Sequence, residues 1–283
     1  MAITKYADIS SYINTIYERA LFVAREQNLM TSLVTPYSAR GWMSRVLPIH
    51  PEITAVAVAD AVDFNQPTTF GKSTEMTLTP DEIIAQVLLT DRAIETDPDN
   101  LRNDAALELG NAIATKIDID LASDFGSLAA EKGPGTGAPA TLAKFSAAIA
   151  YLRNNKAPSP IYIVLHPYHW HDIWMELGQP AASYAMLGDL ANQAMRDYFV
   201  AGPLIGARWF VNANIAVGST PPDAVSGVFN PQALAFDSRR APRLEAERDA
   251  SLRAWEVNIT AGYAHGVRRS EFGVYYTADA TAP

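Results

Sequence analysis

The longest unbroken hydrophobic period in the chain runs from Asp97 to Phe125. Leu101, Ala105, Leu109, Ile113, Ile117 and Leu121 recur every four residues, and Leu107, Ala114 and Leu121 add a row at spacing seven. That pattern predicts one long helix with a wide apolar stripe. Asp97 suits the N-cap, Pro98 the first helical position and Asp99 the positive end of the dipole. Gly126 and Ser127 end the run. At about 1.5 Å per residue the rod measures roughly 40 Å, against a usual helix of about a dozen residues.

Upstream, Ile9, Ile13, Ile16, Ala20 and Val23 mark one face of a helix over residues 8–35, stopped by Pro36. Residues 36–50 have no clean period and read as an extended arm. Residues 52–63 alternate partly and are rich in Val, Asn65-Gln66-Pro67 is turn chemistry, and residues 68–79 alternate again. Together they predict a long hairpin. Its side chains are mostly small or polar, so it cannot make its own core and must lie on its own body or on a neighbouring chain. Residues 82–94 read as a strand followed by a short helix.

Downstream, LAAEKGPGTGAPA (128–140) is the best boundary in the chain and predicts a flexible connection. Its GPGTG lacks the Gly-Lys-Ser/Thr that a phosphate loop needs. Thr141 caps a helix carrying Leu142, Phe145, Ile149 and Leu152, which Pro158 and Pro160 end. Ile161–Leu165 is a short continuous apolar run, the mark of a strand buried on both faces. His166-Pro167 breaks it, and Tyr168–Leu177 starts another helix. Residues 184–199 form one more, and GPLIGARWFVNANIAVG (202–218) and GVFNPQALAFD (227–237) each give a strand. Residues 140–236 therefore read as a compact α+β unit around a central sheet. The tail, 243–277, alternates weakly with paired charges. It predicts an antiparallel ladder turning near Gly262 and returning to the long helix.

Composition narrows the function. The 283 residues include 48% apolar and 19% charged side chains, a globular mix. Cysteine is absent, which excludes disulfides, thiolate metal sites and a cysteine nucleophile. No apolar run approaches membrane-spanning length. The start, MAITKYADISSY, lacks a signal-peptide pattern, so a cytoplasmic site of synthesis and folding is expected. The net charge of −9 argues against a surface built to grip nucleic acid. From Asp81 to Asp124 there are eleven acidic residues and three basic ones, while after residue 235 seven Arg balance seven acids.

Three histidines, His166, His169 and His171, sit in HPYHWH beside Asp172 and invite a metal reading. Only His166 and His169 have helical spacing, and Pro167 lies between them. The favoured reading is a strand-to-helix turn in which His166 or His169 caps backbone groups and Trp170 packs. No Gly-x-Ser-x-Gly elbow exists, and His265 has no nucleophile to serve. Asp118 and Asp120 fall on different helix faces and read as solvated or paired at an interface. Asn258-Ile259-Thr260 matches a glycosylation acceptor, which is moot without a secretory signal. No residue is assigned a catalytic, cofactor-binding or metal-binding role.

The order of the parts resembles the major capsid protein of tailed bacteriophages, the Hong Kong 97 fold. IYIVLHPYHWHDIW is similar to that family's strand, proline, then helix. GPLIGARWFVNANI is similar to its glycine-rich lead into a strand, and RRSEFGVYY to its closing strand. The resemblance implies an α+β fold with an N-terminal arm (1–50), an E-loop hairpin (51–80), a peripheral domain (81–137 and 237–283) with a spine helix (97–125), and an axial domain (138–236). It implies hexamers and pentamers that close an icosahedral shell around double-stranded DNA, in a virion assembled in the host cytoplasm and away from membranes. A separate scaffolding protein is expected, because the sequence begins almost at once with the arm, together with a portal and room for a decoration protein. Some members cross-link an E-loop Lys to an Asn of another subunit. Lys72 and Asn258 are the positional candidates here, with Lys72 as a plain solvated or ion-paired residue the favoured reading. The acidic 81–124 segment is expected to form part of a wall that repels packaged DNA. Encapsulin, an enzyme-storing shell, shares this fold, and a small metal-dependent hydrolase using the three His is the alternative from another class.

Overall fold

The structure, a computed structural model, describes residues 29–39, 41–50, 52–61, 63, 71, 74–96, 100–178 and 203–282. The expected helix over 184–199, the turn at Asn65–Pro67, the Asp97–Asp99 cap, Lys72 and most of the helix over 8–35 lie outside those residues.

Two four-stranded sheets organise the described chain. The first has the order β1-β8-β9-β4, from Thr35–Ser38 (β1), Asp81–Thr90 (β4), Leu234–Asp249 (β8) and Ala254–Val267 (β9). Strand β1 runs parallel to β8, and the other pairs are antiparallel. The second has the order β10-β7-β5-β6, from Tyr162–Leu165 (β5), Arg208–Val211 (β6), Asp223–Phe229 (β7) and Gly273–Asp279 (β10). Arg45–Ile49 (β2) and Thr74–Leu78 (β3) form a separate antiparallel ribbon.

Strand β4 leads through the short helix α1 (Asp91–Thr96) to the long helix α2 (Asn100–Ser123). The four-residue period is the buried face: Ala105, Leu109, Ile113, Ile117 and Leu121 are all in the core. They pack on Ile83, Ala85, Val87 and Leu89 of β4 and on Val257, Ile259 and Ala261 of β9. Leu107 departs from the expected row and is exposed, because the stripe turns away from the sheet there. A tight turn, Asp124–Ser127, ends the rod and buries Phe125 against Phe229, ring centroids 5.5 Å apart.

A second core lies between the second sheet and two helices, α3 (Leu142–Asn154) and α4 (Pro167–Gly178). Phe145 stacks on Tyr276 at 3.8 Å and meets Trp209 edge-on at 5.1 Å. Strand β5 is buried on both faces, as its apolar run predicts: Ile163 and Leu165 face this core and Val164 faces the one under α2.

Several expectations are corrected. Residues 33–35 do not continue a helix; Pro36 lies inside β1. The ribbon pairs 45–49 with 74–78, and the described residues 52–61 form no strand, because Leu47 and Leu78 are the positions that find a surface, on Ala235 and Ala264. The ladder turns at 250–253, not at Gly262, which sits mid-strand beneath Trp42, where a Cβ would come within 2.7 Å of the indole. Residues 273–279, expected with the long helix, pair instead with β7 in the second sheet. The 128–140 stretch is not loose. Lys132 and Gly135 donate to Tyr275 and Thr277, and Tyr275 and Asp279 donate back to Ala130 and Ala138, strapping it along β10. Gly133 is required there, since a Cβ would lie 2.2 Å from the Thr277 carbonyl oxygen.

Where the chain crosses between the sheets its three passes are tied together. Ala129 N–H donates to Ser270 O, Arg268 and Arg269 N–H to Ala233 O, and Asn230 N–H to Phe272 O, at 2.7 to 3.2 Å.

Candidate assembly interface

The ribbon β2–β3 is rooted on the outer face of the first sheet, opposite α2. Leu47 and Leu78 pack on Ala235 and Ala264. Beside them Asp237, fully buried, receives Arg45 Nε at 2.7 Å and lies 2.9 Å from Arg239 Nη2. Arg45 also donates to Ser38 O at 2.9 Å and lies over the Tyr37 ring. Arg45 comes from the ribbon and Asp237 from β8, so this ion pair clamps the ribbon's root to the sheet. Sequence reading missed the clamp. Its signal was the alternation of RVLPI against TEMTL, which places Arg45 on the same side as Leu47.

Beyond the root, residues 52–61 have no regular structure and are exposed end to end. Ile53, Val56 and Val58 stand 57%, 64% and 46% exposed. Glu52 pairs with Lys156 of the turn after α3. Three β-favouring apolar side chains left exposed on one segment form a surface that water does not favour.

The outer face of the first sheet continues this surface. Trp42 covers Gly262 and is stacked by Arg240, which pairs with Glu82. Beside it Met43 is 84% exposed, and Ile84 and Leu88 stand out from β4. Strand β4 ends the sheet, so one side of its ten-residue backbone carries no strand among the described residues. On the same face Gln86 and Asn258 both donate to Glu256.

The sequence-derived candidates fall out as follows. His166 Nδ1 accepts the Tyr168 N–H at 3.3 Å, capping the start of α4. His169 uses both ring nitrogens, on Ser226 Oγ at 2.7 Å and Ala278 O at 3.1 Å, and burial lowers its pKa to about 4. Trp170 is buried. His171 faces Trp174 at 6.1 Å, so the three imidazoles do not converge. Asp172 and Glu176 do converge, on another helix. Their carboxylates accept the Ala140 and Leu142 N–H groups at 2.9 and 2.7 Å, capping α3 in place of Thr141, whose side chain makes no cap bond. The i, i+4 spacing of these two acids was the available signal. Among the described residues no three His, Asp or Glu side chains are gathered as metal ligands.

Among the described acids of 81–124, Glu82, Asp91, Asp118, Asp120 and Asp124 have partners. Glu82 pairs with Arg240, and Asp91 accepts both terminal nitrogens of Arg248 at 2.5 and 2.7 Å. Asp120 accepts from Lys116 and from the Tyr263 hydroxyl, both at 2.6 Å. Asp124 holds His265 Nδ1 at 2.9 Å. Burial alone would lower the His265 pKa, but the Asp124 hydrogen bond and charge, with Asp120 behind, raise it. Asp118, expected at a solvated or interfacial position, is buried. Asp81, Glu95 and Glu108 remain exposed, so the expected repelling wall has fewer free charges than a count suggests. Asn258 Oδ1 is buried without a hydrogen-bond partner, while Lys72 lies outside the described residues.

A mixed α+β chain with a long helix under one sheet, a helix-covered second sheet and an anchored ribbon running out into an uncovered segment has the architecture of a shell subunit with the Hong Kong 97 fold. The chain belongs to the phage capsid protein family, whose profile matches residues 73–277. A solved structure from Mycobacterium phage Che8 superposes with a TM-score of 0.67 at 17% identity, covering 88% of this chain and 90% of that one. The acid-stable capsid of Helicobacter pylori bacteriophage KHP30 gives a TM-score of 0.67 at 11% identity, covering 89% and 91%. A virus-like particle from Pyrococcus furiosus gives 0.64 at 10% identity, covering 94% and 99%. A comparison with curated proteins finds no match. The protein is a capsid structural protein and part of the virion. No helix among the described residues is long and apolar enough to cross a membrane.

Proposed function

We propose that copies of this chain tile as hexamers and pentamers into an icosahedral shell around double-stranded DNA, assembled in the host cytoplasm. The observation that carries this is the 52–61 segment: a clamped ribbon holds it out, and Ile53, Val56 and Val58 lie uncovered by its own body. A neighbouring copy is the partner that would cover it, with Trp42, Met43 and the free edge of β4 as further contact surface. In this assignment the second sheet with α3 and α4 is the axial domain. The first sheet with α2 is the peripheral domain, and the E-loop is rooted as far back as Arg45. A separate scaffolding protein, a portal, a decoration protein and DNA held without sequence-specific contact are the partners this reading assigns.

The test is to express the chain with and without a scaffolding partner and examine it by negative-stain microscopy and nuclease treatment. Closed particles, with 52–61 resistant to protease only after assembly, support the reading. A soluble monomer in which that segment is already protected contradicts it. A second reading within the same fold is an encapsulin-type shell that stores an enzyme. Particles that carry an enzyme and no DNA would select it.

A further inference from the structure

Asp118 lies in the second half of α2 and is 1% exposed. Its Oδ1 accepts the backbone N–H of Met30 at 3.2 Å. Its Oδ2 lies 3.5 Å from Asn212 Nδ2 and 3.5 Å from Asn214 Nδ2. The asparagines are themselves held. Asn212 N–H donates to Leu165 O at 2.8 Å, and Asn212 Oδ1 accepts the Asn214 N–H at 2.8 Å. One carboxylate thus meets the turn at Met30–Ser32 and the turn that follows β6.

These partners are all amides. Burial raises the Asp118 pKa, and the backbone and asparagine hydrogen bonds only partly oppose it. Volume alone does not call for so costly a group at this point; an aliphatic side chain would fill the space. What a carboxylate supplies is two acceptor edges, one for a backbone N–H and one for a pair of side-chain amides. Met30, Leu33 and Val34 are buried beside it, so the Met30 turn is held by packing and by direction together.

We propose that Asp118 is a positioning residue that fixes the Met30–Ser32 turn against the turn that follows β6. It does so by holding the Met30 turn and the Asn212–Asn214 turn on one carboxylate. The inference goes beyond the assembly reading, and it is tested on unassembled protein.

Amide hydrogen exchange at Met30 and Asn214 is compared by NMR in the full chain, Asp118→Asn and Asp118→Leu. Asp118→Leu is expected to speed exchange at both amides by about tenfold. Asp118→Asn keeps an acceptor for Met30 but turns its NH2 toward the two asparagine NH2 groups. It should therefore leave Met30 protected and speed Asn214. A space-filling role predicts that this isosteric change moves neither amide, and that result overturns the proposal. If Asp118→Leu does not fold, the split response of Asp118→Asn decides alone. Particle formation is scored separately. The expected exchange pattern in a wild-type chain that never assembles upholds the anchor and removes the shell reading.

Discussion

The two sheets treat their surfaces differently. Among the described residues the second is covered on both faces: α3 and α4 lie on one, the shared core under α2 on the other, and its buried histidine and helix start find partners within the body. His169 spends both nitrogens, and the α3 N-terminus is capped by two acids from α4. The first sheet is finished only on the α2 side. Among the described residues its outer face carries a ribbon clamped at one end, an exposed tryptophan and methionine, an edge strand with no further neighbour and an exposed apolar segment. A body that meets its own needs can be rigid before assembly, whereas a surface left wanting contacts is where a partner's binding energy is realised.

That contrast can be broken or sharpened by substitution. The largest expected effect is in the closed body. Phe145→Ala removes a ring stacked between Tyr276 and Trp209 and should cost the unassembled subunit about 4 kcal/mol, measured by denaturant unfolding. Next comes the clamp. Asp237→Ala leaves Arg239 buried without its carboxylate and should cost about 3 kcal/mol, with faster hydrogen exchange across 45–49 and 74–78. In the open region, replacing Ile53, Val56 and Val58 together with Ser should change subunit stability by no more than about 0.5 kcal/mol and yet abolish particles in microscopy. Should the triple variant still assemble, the open surface is not the contact surface.

The smallest effect is a pair of opposed pH dependences, one in each region. His169, lowered to about 4, stays neutral in the fold while the unfolded chain takes up a proton below about 6.5. Its contribution is lost as pH falls from about 6.5 toward 4. His265 is raised by Asp124, so its contribution is complete below about 6.5 and is lost as pH rises through its folded pKa. Unfolding midpoints from pH 4 to 8 in His169→Asn and His265→Asn should flatten opposite limbs of the wild-type profile. Flattening of the same limb in both variants would refute the assignment of the two sites.

Local period reached much of this. The four-residue repeat in α2, the strand and short helix over 82–94 and the doubly buried β5 follow from which side chains avoid water. The histidine cluster also read correctly as a capped turn: His166 accepts the Tyr168 N–H, and His169 is spent on Ser226 and Ala278. Long-range choices were not legible. Nothing within 36–50 says that Arg45 meets Asp237 across 192 residues, or that Asp118 receives Met30 across 88. Composition misled at 128–140. Glycine and proline there signal a close approach to β10 rather than slack, and the two causes leave the same letters. Charge counting over 81–124 could not show which acids are held, since a count cannot tell a free acid from one paired with Arg240 or Arg248.

The stitched crossing between the sheets has a mechanical corollary. A single linker would let one half swivel on the other by changing a few backbone torsions. Here the passes at 129–130, 230–233 and 268–272 share hydrogen bonds, so rotation must shear several of them at once. The joint behaves as a laid rope rather than a pivot. A twist applied to one sheet is therefore carried into the other, and change of shape is left to the extended pieces outside them.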